Sequence, residues 1–154
     1  MDIESYAEPA KLPTSESLRV ARLLEIEGPE MDGEVQLALR VARGLRPRSA
    51  NALAKLLGTH RVIGPVIPEA TLRRARKARK TLSREHSERL YEMGRVVDAV
   101  CRVYRGDRRA IEAFLGRRHP LLEGETPLDL ARSGSAGADA VLNLIRRAEA
   151  GMVA

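Results

Sequence analysis

The chain has 154 residues, a formal net charge of +6, one cysteine, no tryptophan and only 3% aromatic residues. This length fits one domain, or one domain plus a small second module, and it can bury a core without disulfide bonds. The single cysteine excludes an intramolecular disulfide framework, and the scarcity of aromatic rings argues against readers of RNA or single strands that stack bases on them.

The charge is distributed unevenly along the chain. Residues 1–32 carry eight acidic and three basic side chains, residues 33–82 carry two and twelve, and residues 83–154 carry eleven and twelve. We therefore predict three parts: a partly ordered acidic N-terminal arm, a basic module, and a helical domain with a short tail. The basic block indicates an anionic partner, nucleic acid first, although a solvated helix face has the same composition.

The sequence also predicts the compartment. No apolar run is long enough to span a bilayer, and the chain begins Met1-Asp2-Ile3-Glu4, without the basic and apolar segments of a signal peptide. We expect a cytoplasmic protein, with Cys101 as a small core residue in a reducing environment.

Helical periodicity predicts an all-α fold. The first helix is predicted over residues 33–43 and the second over 49–57, each ended by a glycine, Gly44 and Gly58. Residues 61–67 alone resemble a strand, and Pro65 argues against a central one. The predicted buried face of the first helix consists of apolar residues at helical spacing, Val35, Ala38, Leu39 and Ala42.

A third helix, predicted from Pro68 to Lys80, carries six of the twelve basic side chains of residues 33–82. Its basic side chains share one face, and a narrow apolar stripe follows another; this is typical of the recognition helix in a helix-turn-helix. The stretch 59–66 departs from that motif, because Gly64-Pro65 interrupts the expected positioning helix. The stripe consists of Leu72, Ala75, Ala78 and Leu82.

Ser83 is predicted to cap a long helix that forms the central packing spine and, alternatively, a dimer seam. Further helices are predicted over 108–115, from the capping sequence Thr126-Pro127-Leu128-Asp129, and after Ser133–Gly137, with Gly151 as the last stop. The spine's apolar face consists of Leu90, Met93, Val97, Val100, Cys101 and Tyr104.

No catalytic or metal-binding pattern is found. His60, His86 and His119 lack metal-ligand spacing with each other and with Cys101. Ser133-Gly134-Ser135 follows no strand, as a nucleophile elbow would, and no glycine-rich phosphate loop follows a strand either. We predict a protein that is not an enzyme and needs no cofactor.

Several motifs in residues 90–151 occur in a recognisable order: Tyr104-Arg105-Gly106-Asp107, Phe114-Leu115, His119-Pro120-Leu121-Leu122, Thr126-Pro127-Leu128-Asp129-Leu130, Gly137-Ala138 and Leu144-Ile145-Arg146-Arg147. This segment resembles the toxin-binding C-terminal domain of Xre/MbcA/ParS antitoxins, most closely the ParS-like ones. Upstream, Gly44-Leu45, Leu56-Leu57-Gly58, Ile67-Pro68 and Thr71-Leu72-Arg73-Arg74 resemble the helix-turn-helix-like half of these antitoxins.

The resemblance implies an all-helical antitoxin that tends to form homodimers. The implied partner is a RES-domain toxin that degrades NAD or transfers ADP-ribose, and the antitoxin would occlude its active-site cleft and repress its own operon. The implied toxin-facing residues are His119, Pro120, Leu121, Gly124, Thr126, Pro127, Arg146, Arg147, Gly151, Met152, Val153 and Ala154. The implied operator-facing residues are Thr71, Arg73, Arg74, Arg76, Lys77 and Lys80.

Simpler interpretations stand beside these roles. His119-Pro120 also fits a rigid loop, Thr126 a helix cap, and Arg146-Arg147 a pair that stabilises a helix C-terminus. For the whole chain, the alternative is a stand-alone helix-turn-helix regulator whose C-terminal helices form a dimerisation domain, and a nucleoid-associated protein is a weaker third.

Overall fold

The periodic apolar positions of the sequence fold as helices. In this computed structural model, which describes residues 1–28 and 33–151, the described part of the chain is all-α, as predicted, with an isolated bridge between Ile63 and Ile67 in place of a strand. Short 3-10 helices cover Ile3–Ala7, Pro9–Lys11 and Pro120–Leu122. The α-helices are α1 (Glu16–Leu23), α2 (Glu34–Arg43), α3 (Pro47–Leu57), α4 (Thr59–Val62), α5 (Glu69–Ala78), α6 (Arg84–Val103), α7 (Arg108–Gly116), α8 (Pro127–Arg132) and α9 (Ser135–Glu149).

Helix α6 is the centre of the fold. Helices α1, α2, α3, α8 and α9 pack around it, so Leu90, Met93, Val97 and Cys101 are at most 1% exposed. The predicted packing spine is therefore confirmed. The alternative of a dimer seam on this face is wrong, because the chain's own helices already cover it.

The N-terminal segment is part of the core. Ile3 and Tyr6 are buried beside α6, and α1 approaches α6 so closely that a Cβ on Gly94 would lie 3.2 Å from Val20 and Leu24. The expectation of a partly ordered arm is corrected for residues 1–28, while Pro29–Asp32 lie outside the described residues. Two 3-10 helices and an eight-residue helix are too short to produce a clear periodic pattern.

A buried cluster of polar side chains joins this segment to α6. The Arg19 guanidinium donates to Asp98 through Nε, at 2.8 Å from Oδ1, and through Nη2, at 3.1 Å from Oδ2, and the Tyr6 hydroxyl donates to Oδ1 at 2.7 Å. Arg19 also donates to the carbonyl oxygens of Pro13 and Thr14, both at 2.8 Å. The carboxylate and the guanidinium are therefore satisfied inside the core, which makes their burial tolerable.

Helix α2 packs with a different face from the one predicted. Leu37 and Val41 point into the core, whereas Val35 is 70% exposed and Leu39 44%. The apolar set predicted to be buried, which also includes Ala38 and Ala42, lies towards solvent or at a groove edge instead. Helix α2 therefore has two apolar faces, and only the smaller one contacts α1 and α6.

The C-terminal helices begin where their capping residues predict. The side chains of Ser83, Asp107 and Thr126 accept backbone N–H groups of the first turns of α6, α7 and α8. Helix α9 begins three residues earlier than expected, at Ser135, so Gly137 lies inside it. A Cβ on Gly137 would overlap the Leu130 carbonyl oxygen, and this glycine therefore permits the tight packing of α8 on α9.

No helix in the described ranges combines the length and apolarity that crossing a membrane requires.

Candidate functional site

The loop between α7 and α8 is held in one shape by its own backbone. The His119 N–H donates to the Glu125 carbonyl at 3.1 Å, and the Gly124 N–H donates back to the His119 carbonyl at 3.1 Å. The Arg118 guanidinium donates to the Gly124 carbonyl oxygen at 3.2 Å, and Gly124 adopts a φ of +84°, which favours glycine. The loop is therefore a preorganised surface, in agreement with the rigid-loop interpretation.

Two neighbouring leucines of this loop have opposite environments. Leu122 is 7% exposed and anchors the loop in the core, whereas Leu121 is 66% exposed. His119 Nδ1 accepts the Leu121 N–H at 3.2 Å, so the imidazole orients the turn that presents Leu121. Pro120 beside it is exposed as well. An apolar side chain fixed in water by a rigid turn is typical of a contact surface.

The start of α8 serves the structure of the loop. The Thr126 hydroxyl oxygen accepts the Asp129 N–H at 3.1 Å, which confirms the helix-cap interpretation, and the side chain of Pro127 is buried. The side-chain hydrogen bond with Thr126, followed by the pairing with Arg132, lowers the pKa of Asp129. Thr126 and Pro127 therefore support the loop at the start of α8, and the buried Pro127 side chain presents little surface to a partner.

A cleft of about 260 Å³ opens between the C-terminal end of α6, α7, the loop and α9. The rings of Tyr104 and Phe114 line it as a tilted pair, with centroids 5.9 Å apart. His119 and Arg117 provide its polar edge. Its aliphatic walls are Val100, Val103, Leu144, Ile145 and Ala148. No local sequence pattern predicts this cleft, because its walls come from segments up to 48 positions apart.

The end of α9 contributes to the cleft with one face only. Leu144 and Ala148 line the cleft, while Arg146 and Arg147 are exposed and are not among its lining residues. The Gly151 N–H donates to the Ala148 carbonyl oxygen at 3.2 Å, and Gly151 has a φ of +74°. The predicted contact residues Met152, Val153 and Ala154 lie outside the described residues. The structure thus brings His119 and the last turns of α9 together, but not the two arginines.

The basic residues predicted to face DNA lie on the exposed side of α5. Leu72 is buried and Ala75 half-buried, while Arg73, Arg74 and Lys77 are exposed. Thr71 is half-buried. The helix ends at Ala78, because Arg79 adopts a left-handed conformation, so Lys80 lies just beyond the helix that was predicted to include it. Leu72 and Ala75 of the predicted apolar stripe face inward and the cations face outward, as predicted, whereas Ala78 of that stripe is exposed.

Helices α3 and α5 form a groove of about 510 Å³ with basic walls. Arg76 donates from α5 to the Asn51 side chain on α3, which ties the two helices together. The groove adds three cations that sequence reasoning missed, Arg46, Arg48 and Arg79, and no acidic side chain lines it. The two arginines flanking Pro47 could have been noticed, since a basic helix N-terminus is a familiar anion-binding arrangement.

The connection between α3 and α5 differs from the short turn of a simple helix-turn-helix. Residues 58–68 contain the one-turn helix α4 and a turn closed by the bridge between Ile63 and Ile67, with Gly64-Pro65 at its tip. This segment therefore contains both extra helical structure and a turn, and Gly64-Pro65 interrupts the positioning helix as the sequence indicated. Arg132 of α8 donates to the Arg61 carbonyl oxygen at 3.2 Å and joins this turn to the C-terminal helices.

Residues 99–151 match the family described as the antitoxin Xre/MbcA/ParS C-terminal toxin-binding domain. The match confirms the resemblance found in the sequence and supports an Xre/MbcA/ParS-type antitoxin that binds a toxin. The matched third of the chain runs from the last turns of α6 to Gly151 and contains every residue that lines the cleft. The upstream basic half lies outside the match, and no curated protein matches the chain.

Proposed function

Because residues 99–151 match the Xre/MbcA/ParS toxin-binding domain, we propose that the chain binds a RES-domain toxin that uses NAD and neutralises it by occluding its active-site cleft. The single observation that carries this proposal is that the family match covers both the rigid loop that exposes Leu121 and the open cleft beside that loop.

The geometry supports an interface in which each of the two proteins inserts an apolar side chain into the other. The exposed Leu121 is a knob that can enter a pocket of the toxin, and the cleft beside Tyr104 and Phe114 can receive an apolar side chain in return. A rigid surface loses little conformational entropy on binding, and buried aromatic pockets are typical hot spots. Arg146 and Arg147, on another side of α9, would contact a more distant part of the toxin. The tail after Gly151 would reach towards the active site.

The experiment that tests this proposal is a rescue assay. The toxin gene next to this one is expressed alone and together with the antitoxin, while growth, cellular NAD and copurification of the two proteins are followed. The proposal expects restored growth, preserved NAD and a stable complex. A toxin that remains lethal in the presence of the folded chain would contradict the proposal and favour the stand-alone regulator.

Two variants make the rescue assay specific for the loop. Leu121→Glu places a charge on the knob and is expected to weaken the complex roughly tenfold to a hundredfold, since it removes a central apolar contact. The matched control is Leu39→Glu, which changes an exposed leucine on α2, 60 positions before the matched segment begins. Removing residues 151–154 tests the tail separately: full protection by the truncated chain would exclude tail insertion.

A second activity is proposed from the basic groove between α3 and α5. Exposed cations on α5, joined by Arg46 and Arg48, form a surface that suits the phosphates of operator DNA, and the toxin–antitoxin pair would repress its own operon through it. In this division residues 33–82 bind DNA as a homodimer and residues 83–154 bind the toxin. Contacts to about six phosphates give a log–log salt slope of roughly −5. A gel-shift titration with the upstream operator DNA checks this value.

A further inference from the structure

A pocket of about 320 Å³ lies at the corner where α2 ends and α3 begins, beside residues 25–27. Two glutamates line it, Glu25 and Glu27, but the positive charge of its walls is larger. That charge comes from four arginines of a short stretch of sequence, Arg40, Arg43, Arg46 and Arg48. The corner therefore concentrates positive charge in a concave site, where the electrostatic potential is stronger than over an open helix face.

Most of this positive charge has no counter-charge within the protein. Glu27 pairs with Arg48, at 3.1 Å between Oε2 and Nη2. The side chains of Arg40, Arg43 and Arg46 make no ion pair or hydrogen bond with any residue that the structure describes, although Arg40 is half-buried. Guanidinium groups gathered around one pocket repel one another, so an anion that carries more than one charge would stabilise the arrangement.

The helix ends explain only half of the cluster. Arg40 and Arg43 lie in the last turn of α2, where the helix dipole favours positive charge. Arg46 precedes α3 and Arg48 lies in its first turn, which contains no acidic side chain, and there the dipole disfavours positive charge. A local choice that opposes helix stability is typical of a functional site, and an anion in the pocket would remove the conflict.

The backbone of the corner is fixed by contacts with the start of α6. The Leu45 N–H donates to Ser87 Oγ at 2.8 Å, and the Leu82 N–H donates to the Leu45 carbonyl oxygen at 2.7 Å. Gly44 has a φ of +107°, and a Cβ on it would overlap the Leu82 carbonyl oxygen. The arginines therefore extend from a rigid backbone, which reduces the entropy that a ligand loses in ordering its site.

The chemistry of the pocket favours a phosphate group. Guanidinium groups bind phosphate oxygens in pairs, and a phosphate group offers three acceptor oxygens and up to two negative charges. A carboxylate offers two oxygens and one charge, which leaves most of the cluster unpaired. The exposed Thr81 hydroxyl in the pocket wall is a further donor. We propose that the corner between α2 and α3 is a phosphate-binding site, held by Arg40, Arg43 and Arg46.

Two kinds of molecule can supply this phosphate. Arg46 and Arg48 line both the pocket and the basic groove between α3 and α5, so the two concavities are continuous. A strand of the operator DNA that lies along α5 would extend its phosphates into the corner, and in this form the inference rests on the proposed DNA binding. The other source is a free phosphate compound, which needs no DNA.

Two probes separate these sources in the full-length chain: duplex operator DNA and inorganic pyrophosphate. The variant is Arg40→Gln with Arg43→Gln, and the matched control is Arg102→Gln with Arg109→Gln, which removes two exposed arginines outside the pocket. Thermal melts establish that both double variants are folded. If DNA supplies the phosphate, the log–log salt slope of DNA binding falls by about 2 in the variant and not in the control. If a free compound supplies it, calorimetry detects pyrophosphate binding that the variant weakens roughly tenfold or more and the control does not.

The proposal is overturned if the variant matches the control with both probes, or if the wild type binds neither of them. Replacing Arg73 and Lys77 of α5 by glutamine separates this failure from a failure of the proposed DNA binding. A salt slope that falls for this α5 variant but not for the corner variant, without any pyrophosphate binding, refutes the corner site and leaves DNA binding by α5 intact. Pyrophosphate binding that depends on Arg40 and Arg43 in a chain that binds no DNA supports the corner site and refutes the DNA activity.

Discussion

Replacing Arg19 by methionine is expected to destabilise the protein more than any change of a surface ion pair. Asp98 and Arg19 have side chains only 2% and 5% exposed, and Arg19 supplies two of the three hydrogen bonds that Asp98 accepts. Burial disfavours the charged form of Arg19, but its hydrogen bond and its attraction to Asp98 outweigh this and raise the pKa of the guanidinium. In Arg19→Met, a buried carboxylate remains with Tyr6 as its only described donor.

The expected cost follows from that geometry. Removing one partner of a buried ion pair costs about 3–5 kcal/mol of the free energy of unfolding. At about 2–4 °C per kcal/mol for a chain of this size, the melting temperature falls by roughly 6–20 °C. The control is Arg84→Met, which breaks an ion pair with Glu88 whose side chains are 70% and 53% exposed, and such pairs contribute about 0–1 kcal/mol.

The assay is urea unfolding followed by circular dichroism. The free energies of unfolding are compared only where they fall with the same slope against urea concentration. The double variant Arg19→Met with Asp98→Leu is expected to recover part of the loss, because an apolar pair replaces the stranded charge. If Arg19→Met cost no more than Arg84→Met, the N-terminal segment would not be locked to α6 through Asp98, and the correction of the predicted arm would fail with it.

Three further predictions concern pH, packing and DNA. Burial, and then the charge of Asp98, raise the pKa of Cys101 from 9.0 to about 12. The protonated thiol therefore stabilises the fold fully below pH 9, and this contribution is lost as the pH rises towards 12. The free energy of unfolding of Cys101→Ala should accordingly depend less steeply on pH in the alkaline range than that of the wild type. Gly137→Ala should lower the free energy of unfolding in urea by several kcal/mol, because the added Cβ overlaps the backbone of α8. The control is Gly116→Ala, where no neighbouring atom lies within 4 Å of the added carbon, and it should cost under about 1 kcal/mol. Replacing Arg73 and Lys77 by glutamine should lower the salt slope of operator binding by about 2 and leave toxin binding unchanged, and an unaltered slope would exclude α5 from the DNA contact.

The sequence predicted most of the helices because their ends carry local chemistry. Ser83 and Thr126 cap the helices that they were expected to cap, and the spacing of apolar residues in α6 predicted its buried face correctly. These features depend on residues within one or two turns of each other. They can therefore be recognised without knowledge of the rest of the fold.

Features that depend on distant segments were missed. In α2 the larger apolar set was assigned to the core, whereas packing against α1 and α6 selects Leu37 and Val41. The cleft and the Arg19–Asp98 pair combine residues up to 79 positions apart, so no local sequence pattern predicts either feature. The basic face of α5 was found, but the groove was not, because Arg46 and Arg48 reach it from another helix.

We expect the cleft and loop of residues 99–151 to hold the toxin, and we would measure this by titration calorimetry of the purified toxin with two tryptophan variants. Ala148 lines the cleft, whereas the exposed Glu149 next to it does not, so Ala148→Trp fills the cleft and Glu149→Trp adds the same ring elsewhere. We expect Ala148→Trp to weaken toxin binding roughly tenfold to a hundredfold and Glu149→Trp to bind like the wild type. Wild-type affinity in both variants would contradict the claim.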